Sequence, residues 1–230
     1  MRDKVKLIAF DADQTLFDFQ KKLHEALKTV SEYLRQHGVV VTVDQLQSKR
    51  DYYADLFRGK QIRMLDLRRQ SFENIVGDVR GKTQIVAEAL DMFERTRFGI
   101  PHYYPGVIET LSVIAPRYQT ALVTNGNSDP SKAEIACYFD HIILGEEFPF
   151  KKPDRRIFLH LMKVSKVRDP GSVIFIGDSL INDVEGANNA GMRSVWFNLD
   201  KIDNDTSIVP DHEISEMREL ITILNQESKL

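Results

Sequence analysis

Apolar and polar positions follow two different periods along the chain, and the change between them divides the sequence into three parts. Residues 5–10 (VKLIAF) form a short apolar run that stops at Asp11, which is typical of a buried strand. From there to about residue 98, apolar residues recur every three to four positions, the period of an amphipathic helix. After residues 98–106 (FGIPHYYPG), short apolar runs return with longer segments between them. The pattern therefore predicts a strand, a helical block, and then strands that alternate with helices.

The helical block is predicted to contain four helices. They cover residues 20–38, a stretch after Thr42 that runs through Phe57, residues 61–76 and residues 83–98. Gly38 and Gly77 are suited to end the first and third helices, because glycine adopts the left-handed conformation that closes a helix. Thr42 and Gln45 have the spacing of a capping box, which starts the second helix. Amphipathic helices with short connections are typical of a small helical bundle.

The rest of the chain predicts a sheet. Strands are expected at residues 119–126, 141–147, 172–179 and 194–198, with helices between them and a polar surface loop at residues 200–211. Alternating strands and helices favour a parallel sheet that is covered on both faces, and the first strand belongs to it. The predicted fold class is α/β. A Rossmann-like core (residues 1–17 and 100–230) carries an inserted all-α helical bundle (residues 18–99).

The amino-acid composition limits the kinds of molecule that the chain is expected to bind. The chain has 230 residues, a formal net charge of −3 and one cysteine, Cys137. An acidic balance does not suit nucleic acid or an anionic membrane, and a lone cysteine excludes an intrachain disulfide or a thiolate metal cluster. No apolar run approaches the length of a membrane span, and the four-residue run from Leu7 to Phe10 is too short for a signal peptide. We expect a cytoplasmic monomer or dimer whose partner is a small molecule.

Polar residues, together with one turn glycine, lie at or after the ends of four of the predicted strands. They are Asp11 and Asp13 after the first, Thr124, Asn125 and Gly126 after the second, Lys151 and Lys152 after the third, and Asp178 with Asp183 after the fourth. Taken singly, each group has a simpler explanation as a turn, a helix cap or an exposed linker. Because the carboxyl ends of parallel strands meet at one edge of a sheet, all of them are expected to lie together, where ligands bind.

Such a cluster predicts phosphoryl transfer. Carboxylates without clustered histidine or cysteine are the ligands that Mg²⁺ prefers. One carboxylate beside the ion can attack phosphorus and form an aspartyl-phosphate, while a second protonates the leaving group and then activates water. A hydroxyl, turn amides and a lysine would hold the phosphoryl oxygens. The pattern itself does not choose between Lys151 and Lys152.

Four segments together resemble the haloacid dehalogenase superfamily of aspartate-based phosphatases. They are DADQTL (11–16), LVTNG (122–126), KPDRRIF (152–158) and GDSLINDVEGANNAGM (177–192). The resemblance implies that Asp11 is the nucleophile and Asp13 the acid/base. It also implies that Thr124, Asn125 and Lys152 bind the phosphoryl group, with Lys152 chosen because it precedes the proline. The implied Mg²⁺ ligands are Asp11, the backbone carbonyl of Asp13 and Asp178. Asp183 either binds the ion as well or orients the residues that bind it.

The insertion after the first motif is similar to that of members with an α-helical cap, which closes over the site. Within it, residues 66–75 (DLRRQSFENI) resemble the cap helix of sugar-phosphate phosphatases and nucleotidases, and Arg68 is a candidate substrate contact. Phe17 is a second candidate. The alternative is that four arginines simply form a solvated face: Arg58, Arg63, Arg68 and Arg69. Residues 124–127 and 210–220 resemble phosphatases of flavin synthesis, so a nucleotide, a sugar phosphate or a flavin-pathway intermediate is expected as substrate.

Two other functions remain open at this point. A phosphomutase of the same superfamily would return the phosphoryl group to a sugar, and would need activation by a sugar bisphosphate. A non-catalytic sensor would bind a phosphorylated ligand without turnover. An Asp at position 13 favours phosphate chemistry over dehalogenation, which needs no proton donor there.

Overall fold

The computed structural model describes residues 4–60, 62–126 and 134–227, and six parallel strands form one sheet within them. The strands are β1 (Leu7–Phe10), β2 (Gln119–Thr124), β3 (His141–Leu144), β4 (Val173–Gly177), β5 (Arg193–Phe197) and β6 (His212–Ile214). The helices are α1 (Phe19–Gln36), α2 (Val43–Leu56), α3 (Met64–Val76), α4 (Lys82–Arg97), α5 (Val107–Ile114), α6 (Arg155–Ser165), α7 (Gly186–Ala190) and α8 (Glu219–Glu227). The predicted α/β fold class is confirmed.

The chain forms two compact units. One, here the core unit, contains Met1–Asp18 and Tyr103–Leu230, and the other, the helical unit, contains Phe19–His102. The strands all belong to the core unit, and α1 to α4 make up the helical unit.

Both faces of the sheet are buried, as the apolar strands require. Ile8 and Phe10 of β1 pack on one side with side chains of α5 and α8. Leu7 and Ala9 point to the other side and pack with α6 and α7. Successive residues of a strand face opposite ways, so a strand that is apolar throughout needs a helical layer on each face.

β1 lies at the point where the order of the strands reverses, because β2 and β3 follow on one side of it and β4, β5 and β6 on the other. The order is β3-β2-β1-β4-β5-β6, so β1 lies between β2 and β4. Phe10 pairs with Ile176, and the Asp11 amide donates to the Ile176 carbonyl at 2.8 Å. Asp11 and Asp178 therefore leave neighbouring strands at nearly the same level. A crevice at such a reversal is where open α/β sheets bind their ligands.

Strand ends and the C-terminal elements differ from the sequence prediction. The strand expected at 141–147 stops at Leu144, and Gly145–Glu147 form a 3₁₀ turn. Neither β6 nor α8 was predicted. β6 is only three residues long and pairs with β5 through Trp196 and Glu213, so its alternation is too brief to identify from a sequence. Residues 199–211 contain no helix or strand, as expected for a loop.

Local signals in the helical unit are confirmed. The Gln45 amide donates to Thr42 Oγ1 at 3.2 Å, and the Thr42 amide donates to Gln45 Oε1 at 2.9 Å, which completes the capping box of α2. Gly38 has φ +80° just after α1, where residues with a Cβ would be strained. The apolar faces of the four helices meet in a core around Leu27, Phe72 and Phe93. None of the described helices combines the length and apolar character needed to cross a membrane.

Candidate active site

Lys152 connects two acidic residues at the carboxyl edge of the sheet. Its Nζ donates to Asp11 Oδ1 at 2.5 Å and to Asp183 Oδ1 at 2.6 Å. The three residues are 4%, 7% and 2% exposed, respectively, so these charge-assisted hydrogen bonds are shielded from water. Lys151 is exposed. The structure thus distinguishes the two lysines and places Lys152 beside the carboxylates.

Thr15, the threonine of the DADQTL motif for which the sequence predicted no role, links the loops that follow β1 and β4. The Asp178 amide donates to Thr15 Oγ1 at 3.0 Å. The same hydroxyl lies 3.3 Å from Asp11 Oδ2 and 3.4 Å from Asp178 Oδ1. Because a hydroxyl has one proton, it can donate to only one of these carboxylates at a time. Its position four residues after Asp11, on a tight turn, is the signal that could have identified it.

Asp183 is held from two sides and packs directly on the end of β4. Its Oδ2 accepts from the Ser179 amide at 3.0 Å, while its Oδ1 accepts from Lys152. A Cβ added to Gly177 would lie 2.3 Å from Asp183 Cγ. Real Cβ atoms do not approach other atoms so closely, so the glycine at this position is what lets Asp183 reach Lys152.

Asn125 and Thr124 shape the end of β2. The Asn125 side chain accepts from the Lys152 amide and donates to the Lys152 carbonyl, both at 2.8 Å. This clamp fixes the backbone of Lys152 across the sheet edge, a role that the sequence did not predict. Thr124 Oγ1 accepts from the Gly126 amide at 3.1 Å, which leaves the hydroxyl proton available to a ligand. Phosphate binding by both residues stays a prediction.

Asp13 and Phe17 lie on the turn that follows β1. Gln14 has φ +65° and its amide donates to the Phe17 carbonyl at 2.9 Å, which closes the turn. Asp13 is half-buried at its start. Phe17 is 6% exposed and packs in the core unit, in a bridge with Tyr103. Its suggested contact with substrate stays a prediction.

Arg68 does not belong to a solvated face. It is 4% exposed, and its guanidinium donates to the Leu46 carbonyl at 3.2 Å and to Gln47 Oε1 at 3.0 Å. The alternative interpretation of the arginines as a solvated group is therefore wrong for Arg68. It holds for the exposed side chains of Arg58, Arg63 and Arg69.

The acidic cluster has the chemistry of a hard metal site. Carboxylate oxygens of Asp11, Asp178 and Asp183 lie within 4.8 Å of one another. When all three are ionised, they carry more negative charge than Lys152 offsets. Oxygen donors with an excess of negative charge suit Mg²⁺ or a similar hard cation, so the residues present fit the expected ion.

The pKa values of the cluster reflect the burial of several negative charges beside one another. Burial raises the pKa of Asp178 to about 6, and the negative charge of Asp11 adds to the effect. Burial by itself would lower the pKa of Lys152, but the charges of Asp11 and Asp183 outweigh it and raise that pKa. Lys152 therefore stays protonated at neutral pH.

Gly177→Ala is expected to force Asp183 away from Lys152 and to lower the unfolding midpoint by several degrees. Overpacking of a buried site costs about 1–3 kcal/mol, and about 1 kcal/mol shifts the midpoint of a chain of this size by about 2–4 °C. Thermal unfolding measures the change. Gly171→Ala is the matched control, because a Cβ there would meet nothing closer than 3.5 Å. Equal midpoints for the two variants would contradict the packing described for Asp183.

Comparison with known proteins identifies the family. Residues 5–191 match the haloacid dehalogenase-like hydrolase family, and the chain belongs to it. The resemblance seen in the four sequence motifs is thereby confirmed.

Relatives of similar length span nearly the whole chain. Glyceraldehyde 3-phosphate phosphatase of Pyrococcus furiosus is 28% identical over 98% of this chain and 95% of its own length. N-acylneuraminate-9-phosphatase of Homo sapiens is 27% identical over 96% of this chain and 94% of its own. A crystal structure described as a 2-haloacid dehalogenase from Pseudomonas syringae pv. Tomato superposes with a TM-score of 0.80. It is 28% identical and covers 96% of this chain and 99% of its own.

Proposed function

We propose that the protein is a Mg²⁺-dependent phosphomonoester hydrolase that acts on a small phosphorylated metabolite through an aspartyl-phosphate. One observation carries the proposal: Lys152 holds the Asp11 carboxylate at the point where the strand order reverses, and Asp178 directly follows the neighbouring strand β4. Its second oxygen, Oδ2, lies 3.3 Å from the Thr15 hydroxyl. A fixed carboxylate oxygen of this kind is a suitable nucleophile.

The residues account for both half-reactions. An Asp11 oxygen attacks phosphorus, the bond from phosphorus to the leaving alkoxide breaks, and Asp13 gives that alkoxide its proton. A water molecule then attacks the aspartyl-phosphate and gives its proton to Asp13. The bond between phosphorus and Asp11 breaks, and inorganic phosphate leaves. Lys152 and the Thr124 hydroxyl offset the charge that develops on the phosphoryl oxygens.

Mg²⁺, when bound, offsets negative charge on the carboxylates and on the phosphoryl group. Asp11, Asp178 and the backbone carbonyl of Asp13 are the proposed ligands. Asp183 is proposed to lie behind them, because both of its oxygens accept hydrogen bonds from the protein. In that position it holds Lys152 and the loop after β4 in place.

The names of the relatives support a small phosphorylated substrate. Two are phosphatases of glyceraldehyde 3-phosphate and of an N-acylneuraminate 9-phosphate, and each aligns with nearly all of this chain. We propose that the helical unit acts as the cap that selects among such substrates, with the core unit providing the chemistry. A cytoplasmic location and a monomeric or dimeric state stay predictions from the sequence.

Dehalogenation is a second candidate, favoured by the similarity to the structure described as a 2-haloacid dehalogenase. In that reaction the carboxylate displaces halide from carbon, and halide leaves without a proton. An acid at position 13 would have no leaving group to protonate in the first step of that reaction. The half-buried Asp13 beside Asp11 therefore supports phosphate as the substrate.

Phosphate release from p-nitrophenyl phosphate and from a panel of sugar phosphates and nucleotides tests the proposal. We expect turnover with Mg²⁺, a decrease of at least about 100-fold with EDTA, and no halide release from 2-chloropropionate. Halide release without phosphate release would identify a dehalogenase. Isomerisation that requires a sugar bisphosphate would identify a mutase, and binding without turnover would identify a sensor.

Trp196 provides a readout of metal binding that does not depend on activity. It is the only tryptophan in the chain, and its Nε1 donates to the Asp178 backbone carbonyl at 2.9 Å. Titration with Mg²⁺ is expected to change its fluorescence, because an ion on Asp178 alters the field at the indole. Asp178→Asn should weaken this response, and an unchanged titration would contradict the proposed ligand.

A further inference from the structure

One outer face of the core unit is built from α6, α7 and the loop of residues 199–211, and is here called the charged face. α6 and α7 pack on the same side of the sheet, and a Cβ added to Gly186 of α7 would lie 2.6 Å from the Phe158 ring of α6. Asn188 follows Gly186 by two residues, about 200° around the helix, so it points away from α6. Its Nδ2 donates to the Val209 carbonyl at 2.9 Å. α7 therefore lies between α6 and the loop.

The α6 end of the charged face is basic. Residues 155–168 contain no aspartate or glutamate, and their five arginine and lysine residues are all exposed: Arg155, Arg156, Lys163, Lys166 and Arg168. Leu159 is 44% exposed and lies one turn from Arg155 and one turn from Lys163. Arg155, Leu159 and Lys163 thus form an exposed stripe, here called the α6 stripe, that combines a large apolar side chain with positive charge.

The stability of α6 does not account for all of this charge. Arg155 and Arg156 stand in the first turn of the helix, where the helix dipole disfavours cations. Asp154 compensates for Arg156, because its Oδ2 lies 2.6 Å from Arg156 Nη2. A role in recognition therefore explains the charge of Arg155 better than helix stability does.

The loop at the other end of the charged face is acidic and also carries apolar side chains. Asp200, Asp203 and Asp205 are exposed. Ile202 is 61% exposed and Val209 is 75% exposed. The loop therefore combines the same two properties as the α6 stripe, with the opposite sign of charge.

Hydrogen bonds hold this loop in a defined conformation. The Asn198 side chain accepts from the Ile202 amide at 3.0 Å and donates to the Ile202 carbonyl at 2.8 Å. The Asn204 side chain donates to the Ile208 carbonyl at 2.7 Å and accepts from the Thr206 amide at 2.9 Å. A loop that is ordered in advance loses little conformational entropy when it binds a partner.

We propose that the charged face binds a second copy of this chain about a two-fold axis, with the α6 stripe of each copy on the acidic loop of the other. A two-fold interface brings one surface against itself, so its basic end must meet an acidic end. α7 lies between the two ends, and its exposed Asn188 and Asn189 place uncharged side chains near the axis. A different acidic protein would match α6 and leave the loop unmatched, whereas a second copy matches both ends. The proposal does not depend on the proposed function.

Sedimentation velocity of the full chain tests for the dimer. We expect the wild type to dimerise with rising concentration in about 0.01 M salt and to shift towards monomer in about 1 M salt, where the Debye length is only about 3 Å. Arg155→Glu combined with Lys163→Glu should raise the Kd of the dimer by at least about 100-fold, because like charges then face each other.

Arg117→Glu combined with Arg218→Glu is the matched control, with the same change in net charge. Both arginines are exposed, and they flank α5 and α8 on the opposite side of the sheet. This variant should keep the Kd of the wild type. An equal increase of the Kd in the control and in the α6 variant would show an effect of net charge alone and would overturn the proposal.

A charge exchange tests the pairing of the two ends. Asp203→Lys combined with Asp205→Lys should by itself weaken the dimer as strongly as the α6 variant does, because two basic ends then meet. An equimolar mixture of the loop variant and the α6 variant should form a heterodimer, in which both contacts again join opposite charges. All four exchanged side chains are exposed, so each variant should fold, which circular dichroism verifies.

The remaining outcomes also decide the question. A wild type that stays monomeric at about 1 mM in low salt would overturn the proposal, because even a weak complex forms at that concentration. A dimer with the same Kd in the wild type and in the α6 variant would place the interface on another face. Absence of the heterodimer from the mixture would contradict the pairing of the α6 stripe with the loop. Each variant changes one end only, so either variant alone reports on the interface if the other fails to fold.

Discussion

Asp11→Asn is expected to reduce phosphate release by at least about 10⁴-fold while the protein stays folded. Loss of the nucleophile removes the covalent route altogether, and comparable losses of nucleophiles cost about 10⁶-fold in kcat. Asparagine has the same shape, and Lys152 keeps Asp183 as a partner at 2.6 Å, so the buried ammonium is not left without a counterion. The measurement is initial velocity with Mg²⁺ on the substrate that the wild type turns over best.

Chemical trapping provides the control for this prediction. Acid quenching with a radiolabelled substrate should show a phosphorylated protein in the wild type and none in Asp11→Asn. Retained turnover in the variant would exclude Asp11 as the nucleophile. Retained turnover together with trapped phosphoprotein would place the covalent bond on another residue.

Lys152→Met is expected to have the second-largest effect, on stability as well as on catalysis. The side chains of Lys152 and Asp183 are each 2% exposed, so methionine would leave Asp11 and Asp183 buried beside each other without a cation. Removal of one partner from a buried ion pair costs about 3–5 kcal/mol, which corresponds to a fall of about 10 °C in the unfolding midpoint. Loss of the positive charge of Lys152 from the site should lower kcat by about 10²–10³-fold.

Lys151→Met is the matched control, because the two lysines are neighbours and only their environments differ. Lys151 is exposed, and surface substitutions change stability by less than about 0.5 kcal/mol. We therefore expect wild-type unfolding and turnover from it. Similar behaviour of the two variants would contradict the assignment of Lys152 to the site.

Much of the fold could be predicted because its signals are local. The capping box of Thr42 and Gln45 and the glycine at position 38 each act within one turn, so they need no knowledge of distant residues. The same is true of the change from a helical to a strand period. By contrast, β6 becomes a strand only because β5 provides a partner for its three residues.

The candidate site was predictable in part for a related reason. Asp11 and Asp178 follow strand ends directly, Asp13 comes two residues after Asp11, and strand ends share one edge in a parallel sheet. Arg68 shows the limit of this reasoning. Its position in an arginine-rich segment suggested a solvated face, but packing against Phe93 and hydrogen bonds to α2 bury it.

The sequence by itself determined the α/β class, the inserted helical bundle and the family, and it predicted the acidic residues of the candidate site, because short motifs and periodicity carry that information along the chain. The residue pattern left Lys151 and Lys152 open, and the family resemblance favoured Lys152. Only the tertiary structure showed that Lys152 reaches Asp11, that Asn125 clamps Lys152, and that Thr15 joins the loops of β1 and β4. These contacts connect residues 27 to 163 positions apart. The direction and burial of a side chain at such separations depend on how the strands order themselves in the sheet, which no local pattern specifies.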